Sequence, residues 1–289
     1  VNRILKTSIV GIALCMCSDV IAEDTTVLCY IPDSVMPKAQ TWLPGPPDST
    51  SMAFAYDMHC YEWYKTLRND EERAIEAIKD SVEVIPEVLK RFEEAFGMEL
   101  SLEETPEIYT LIEGAMSASN KVCDIPKAHW FRTRPFVFFN EHTLTPLSEA
   151  RLSQNGSYPS GHTCKGFITA MLLTEINPQR ADKLFERGYQ IGISRLIVGM
   201  HWRSDVNDAR MIAAEVVALL HSNTDFLKQM EKAKAEFQAK KATGISSVSS
   251  DVNNANNGNN TKYTLSGMKA DNNYKGVLLR TGKNTYKDF

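Results

Sequence analysis

The chain has 289 residues, 43% of them hydrophobic and 24% charged, a balance that suits a packed globular core and excludes an intrinsically disordered protein. Its formal net charge is -4, so no overall basic field draws it to a nucleic acid polymer or an anionic membrane. Any recognition of phosphate has to come from a local cluster.

Residues 1–22 read as a secretory signal peptide: Arg3 and Lys6 precede an apolar run over residues 8–17, and Val20-Ile21-Ala22 has the small-residue spacing of a cleavage site. The run is shorter than the roughly 20 residues of a spanning helix. Cleavage near Ala22 and a periplasmic or secreted location are expected. Cleavage removes Cys15 and Cys17 and leaves Cys29, Cys60, Cys123 and Cys164 in a compartment that permits disulfides. The sequence does not choose among their pairings. They lack the spacing of a structural zinc site, and no metal is expected.

Residues 23–51 carry Pro32, Pro37, Pro44, Pro46 and Pro47 and read as an extended arm. From residue 52 onward apolar positions recur at helical spacing, as in Ile75, Ile78, Val82, Ile85, Val88, Leu89, Phe92 and Phe96. Pro86 should kink or split this stretch, and Gly97 should close it. Ser101 and Glu104 read as a capping box ahead of a helix over residues 108–122, with Pro126 starting a new turn. A helix beginning near Pro159 ends at Asn177-Pro178, and further helices cover residues 180–198 and 205–219 before a charged helix to about Lys241. The expected fold is mainly α, a helical bundle forming one catalytic domain over residues 52–241. Residues 242–262, rich in Ser and Asn, read as a linker. Residues 263–289 read as a short tail, with strands near 263–265 and 276–283, similar to the small tails some Gram-negative bacteria attach to exported proteins. No apolar run after residue 22 is long enough for stable membrane insertion.

Three separated segments offer what a phosphate ester needs. Lys127 and Arg134, in the run ending Arg134-Pro135, supply fixed cations, and the planar fork of Arg134 can grip two phosphate oxygens. Taken alone, such a run is an ordinary solvated face. Gly156-Ser157-Tyr158-Pro159-Ser160-Gly161-His162-Thr163 precedes an apolar helix, whose N-terminus presents free N–H groups to an anion. Ser160 adds a hydroxyl, Gly161 allows close backbone approach, and His162 is a proton donor; a capped helix with a surface histidine is the plainer alternative. In the third segment, Ser194-Arg195 is followed by His201 and then by Asp205, placed to hold one imidazole nitrogen and leave the other free to attack. Taken alone, N-capping by Ser204 or Asp205 is the better explanation of that spacing.

Together the pattern Lys-x6-Arg-Pro, Pro-Ser-Gly-His and Ser-Arg-x5-His-x3-Asp resembles the three-part motif of the phosphatidic-acid-phosphatase type 2 and vanadium haloperoxidase superfamily. The longer Gly-Ser-Tyr-Pro-Ser-Gly-His-Thr string, with Glu175-Ile-Asn-Pro-Gln-Arg180, resembles the bacterial class A nonspecific acid phosphatases. The resemblance spans about residues 52–237. It implies His201 as nucleophile forming a phosphohistidine, Asp205 as its orienting partner and His162 as the acid for the leaving group. It implies Lys127, Arg134, Arg195, Ser160 and the Gly161 N–H as phosphate ligands, no cofactor, small phosphate esters as substrates, inhibition by vanadate, and a homo-oligomer. Val198 stands where relatives often carry a cysteine, so their disulfide is not expected. The same site would also serve an apyrase, a nucleotidase or a phosphotransferase. Vanadium-dependent haloperoxidase and non-catalytic phosphate binding are more distant readings.

Overall fold

The computed structural model describes residues 29–254, 262–264 and 278–280; residues 1–28, including the expected signal segment, residues 255–261 of the expected linker and most of the tail lie outside the described residues. The arm is not free. Tyr30, Ile31, Ala39 and Leu43 are buried in the main core, and the Tyr30 ring meets Phe226 edge-on at 5.5 Å.

Helix α1 (Met52–Thr66) is N-capped by Ser51, whose hydroxyl accepts from the Phe54 N–H, and α2 (Glu71–Lys79) is capped in the same way by Asp70. Pro86 does split the next stretch: it sits in the first turn of α3 (Ile85–Lys90), where a missing N–H costs nothing. Helix α4 (Glu93–Phe96) ends on Gly97 at φ 84°, a left-handed cap.

The long helix α5 (Pro106–Trp130) begins differently from the sequence expectation. The Glu104 N–H does donate to the Ser101 hydroxyl, but this closes a turn ahead of the helix. The free N–H groups of Glu107 and Ile108 are taken instead by the two carboxylate oxygens of Glu236, at 3.1 and 3.0 Å. Pro126 lies inside α5 and does not restart it; the helix continues to Trp130 although proline has no N–H to donate.

After α6 (Pro135–Phe139) and α7 (Glu149–Leu152) come the central helix α8 (Gly161–Ile176), then α9 (Ala181–Val198), α10 (Arg203–Leu220) and α11 (Thr224–Asn254). Helix α8 buries residues around its whole circumference, among them Cys164, Ile168, Ala170, Leu172, Leu173 and Ile176, because α5, α9, α10 and α11 all pack on it. Each fully buried Leu or Ile there contributes about 1.5–3 kcal/mol. Helices α8 and α9 approach closely because Gly188 has no side chain: a Cβ there would stand 2.8 Å from the Ala170 Cβ and 3.1 Å from the Gly166 carbonyl oxygen. Helix α11 runs to Asn254, into the segment read as linker, because extending an anchored helix is cheap per residue. Two short strands, β1 (Lys262–Thr264) and β2 (Leu278–Arg280), pair antiparallel with Tyr263 opposite Leu279. The fold is mainly α. Cys29, Cys60, Cys123 and Cys164 are all free thiols.

Candidate active site

The three motif segments, far apart in sequence, meet at one cavity of about 340 Å³ whose wall includes Lys127, Arg134, Gly161, His162, Arg195 and His201. Lys127 comes from the last turn of α5, and Arg134 from the residue before α6. Gly161 and His162 open α8, Arg195 closes α9, and His201 lies in the turn between α9 and α10. Gly199, at φ 91°, ends α9 in a left-handed cap and turns the chain toward His201. Ser160 and Asp205 stand behind this wall, both fully buried. Ser160 caps α8, its hydroxyl oxygen accepting from the Thr163 hydroxyl at 2.9 Å, and its N–H donates to the Asp205 carbonyl at 3.0 Å.

His201 Nε2 lies 3.3 Å from Arg134 Nη1. A guanidinium only donates, so this nitrogen accepts and carries no proton. The proton then sits on Nδ1, which faces Asp205 Oδ2 at 3.4 Å, an electrostatic contact longer than a well-formed hydrogen bond. The same Oδ2 accepts from the Trp202 N–H at 2.8 Å, so Asp205 both caps α10 and faces the imidazole. The two readings of this aspartate are not exclusive.

Arg134 is held by backbone. Its guanidinium donates to the carbonyls of Leu152, Asn155, Met200 and Gly156 at 2.9 to 3.1 Å, which fixes the loop before α8 against the turn that carries His201. Only Nη1 reaches a side chain of the site. Lys127 Nζ donates to the Pro159 carbonyl at 2.7 Å, beside Gly161.

The turn after α2 holds the opposite wall, and nothing in the motifs points to it. The Ser81 hydroxyl accepts from Arg195 Nη1, and the Ser81 carbonyl accepts from His162 Nε2 at 3.3 Å. Its neighbour Asp80, 4% exposed, binds Arg91, Arg187 and the Ser194 hydroxyl and pins this turn to α9. Lys165 and Arg151 add cations to the wall, against the carboxylates of Glu83 and Asp124. Lys165 was within reach of sequence reasoning, since it follows His162 by three residues on one helix face; Ser81 was not.

Burial dominates the electrostatics. It pulls Arg195 and Arg134 down to about 10, each lowered further by a neighbouring guanidinium, and it lowers Lys127 as well. His201 is pushed well below the usual histidine range by burial and then by Arg134, Arg195 and Lys127. His162 is pushed the same way by burial, Arg195, Lys165 and His201. An anion among these groups would relieve the crowding of positive charge.

A stability effect follows. Above the ordinary histidine pKa of about 6.5 both imidazoles are neutral whether the chain is folded or not. As pH falls below it the unfolded chain takes up protons that the folded chain refuses, so stability present at pH 7 is lost toward the lower folded values. The melting temperature should drop by several degrees between about pH 7 and pH 5, and inorganic phosphate should restore part of it. A flat profile, or an equal slope in a His162→Asn/His201→Asn double variant, would contradict this.

Among known proteins, residues 109–228 match the family described as the PAP2 superfamily. The chain is 42% identical over 211 residues to a non-specific acid phosphatase of Providencia stuartii, covering 73% of this chain and 85% of that one. It is 34% identical over 203 residues to a non-specific acid phosphatase of Salmonella typhimurium, covering 70% and 81%. It is also 34% identical over 197 residues to an acid phosphatase of Zymomonas mobilis, covering 68% and 74%.

Proposed function

The chain belongs to the bacterial non-specific acid phosphatases of the PAP2 superfamily, and we propose that it hydrolyses phosphate monoesters by way of a phosphoryl group carried on His201 Nε2. The observation that carries this reading is the unprotonated Nε2 on the cavity wall, with Nδ1 turned to a buried carboxylate. An N–P bond forms from the Nε2 lone pair as the ester P–O bond breaks, and the leaving oxygen takes its proton from His162. Water then attacks phosphorus and gives a proton to His162. The N–P bond breaks with its electron pair returning to Nε2, and inorganic phosphate leaves.

Phosphoryl transfer asks mainly for position and for positive charge around the equatorial oxygens. Lys127, Arg134 and Arg195 supply that charge, which supports a metal-independent reaction. Bound phosphate raises the proton affinity of His162 and offsets the effect of burial, so activity should be highest on the acid side and fall as His162 loses its proton.

Export belongs to the same proposal, supported by the basic residues, apolar run and small-residue spacing of residues 1–22. Among the described residues no helix is long and apolar enough to cross a membrane.

The test is hydrolysis of p-nitrophenyl phosphate from acid to neutral pH with excess chelator. Turnover should survive chelation, peak on the acid side and be inhibited by vanadate. Loss of activity on chelation with recovery on adding a divalent ion, or indifference to vanadate, would overturn the reading.

A further inference from the structure

Behind His201 a chain of buried charge runs from the motif residue Asp205 to two side chains that the motifs do not specify, Arg132 and Asp57. Asp205 Oδ1 accepts from Arg132 Nη1 at 2.6 Å, and Arg132 Nη2 donates to Asp57 Oδ2 at 2.7 Å. All three side chains are buried: Asp57 is 2% exposed, Arg132 9% and Asp205 0%. The other oxygen of Asp57 accepts from the Ser204 N–H at 2.9 Å, in the first turn of α10, and the Ser204 hydroxyl is shared between Asp57 and Arg132. The guanidinium lies 5.2 Å from the Trp202 ring and 5.9 Å from the Phe54 ring, which leaves it no other geometry. Asp57 comes from α1 and precedes the segment that matches the superfamily.

We infer that Asp57 and Arg132 are positioning residues for the nucleophile, setting both the orientation and the charge of the Asp205 carboxylate that faces His201. This rests on the reading of His201 given above. Arg132 alone would orient Asp205 but also cancel its charge. Asp57 returns the trio to a net negative charge, and that remainder is available to the imidazole as it turns cationic on taking the phosphoryl group. The fork of Arg132, held at both ends, fixes Oδ1 so that Oδ2 stays toward Nδ1.

The other groups facing His201 are Lys127 from α5, Arg134, His162 from α8 and Arg195 from α9. Asp208, on α10, lies beyond the trio and accepts from the Tyr158 hydroxyl at 2.6 Å. Asp208, pushed up chiefly by burial, also feels the Asp57 charge and shifts with a change at residue 57, whereas the cations facing His201 stay in place. Asp57→Asn keeps an oxygen for Arg132 and the Ser204 hydroxyl, loses the acceptor for the Ser204 N–H, and removes one negative charge. Its kcat for p-nitrophenyl phosphate should fall about tenfold or more with KM little changed. The acid limb of kcat/KM, where His201 takes up a proton, should move to lower pH, because the imidazolium has lost support. Asp57→Glu should recover most of the rate and the limb position.

A merely structural role predicts lost rate with the limb unmoved and no rescue by glutamate; that result, or a parental rate and profile in Asp57→Asn, overturns the inference. Should Asp57→Asn not fold, Arg132→Lys carries the test: it keeps the charge balance and loses the fork, so kcat should fall with KM, the limb and the melting temperature little changed, and a parental kcat, or a rise in KM with a fall in melting temperature, would sink the idea. His201→Ala is assayed in parallel. If that variant stays active, the phosphohistidine reading fails and this inference with it; if it is inactive while Asp57→Asn keeps the parental rate and profile, only this inference fails.

Discussion

Replacing His201 with alanine should lower kcat/KM for p-nitrophenyl phosphate by on the order of a thousandfold or more, with the fold retained. On the proposed mechanism the substitution removes the protein group that bonds to phosphorus, yet leaves the cations of the cage in place. Arg134 keeps its four carbonyl partners, and Lys127 keeps its contact with Pro159. Binding and chemistry should therefore separate: the variant still binds vanadate, seen as a rise in melting temperature, and no longer accumulates radiolabelled phosphate in an acid-labile, base-stable bond. A variant within about tenfold of its parent would mean that another group attacks phosphorus. Loss of vanadate binding along with activity would mean that the imidazole holds the cage together.

His162→Ala carries the second large effect, about a hundredfold to ten-thousandfold, and its size should depend on the leaving group. An alkyl phosphate departs as a strongly basic alkoxide and needs the proton in the transition state. A p-nitrophenyl ester departs as a stabilised phenoxide and needs it less. The loss should thus be much larger for the alkyl ester. Dephosphorylation needs His162 as base for both substrates, so the phosphoenzyme should build up during turnover and show as a burst of product. The contact of His162 Nε2 with the Ser81 carbonyl holds the ring at the wall, with the Glu83 carboxylate 3.9 Å from the same nitrogen. An equal loss for both leaving groups, with no burst, would leave His162 as a phosphate ligand only.

Helices with strong periodicity were legible in the sequence, and so were the three segments that build the cage. A helix period is written locally, and the residues that touch substrate recur in short patterns with a chemical reason. What escaped was held by long-range pairing. Nothing near Asp57 distinguishes it from any aspartate on an amphipathic helix; its role exists only once α1 lies beside Arg132 and Ser204. Ser81 matters through a carbonyl, which sequence does not display, and through a hydroxyl that meets Arg195 only once α9 packs beside its turn. The capping box at Ser101 failed for a related reason, because the carboxylate that caps α5 comes from Glu236, more than a hundred residues downstream.

The arm and the last helix close the molecule on itself. Asn223 donates to the Tyr30 carbonyl at 2.7 Å, Phe226 meets the Tyr30 ring, and Glu236 covers the start of the helix whose other end carries Lys127. Seen in the order of synthesis, the ribosome delivers every residue of the cage, through Asp205, before it delivers any of these three. A nascent chain thus holds the full catalytic set while α5 still lacks its cap and the arm still lacks its berth. The cap on α5, the helix that carries Lys127, is supplied only when the Glu236 turn of α11 has been made.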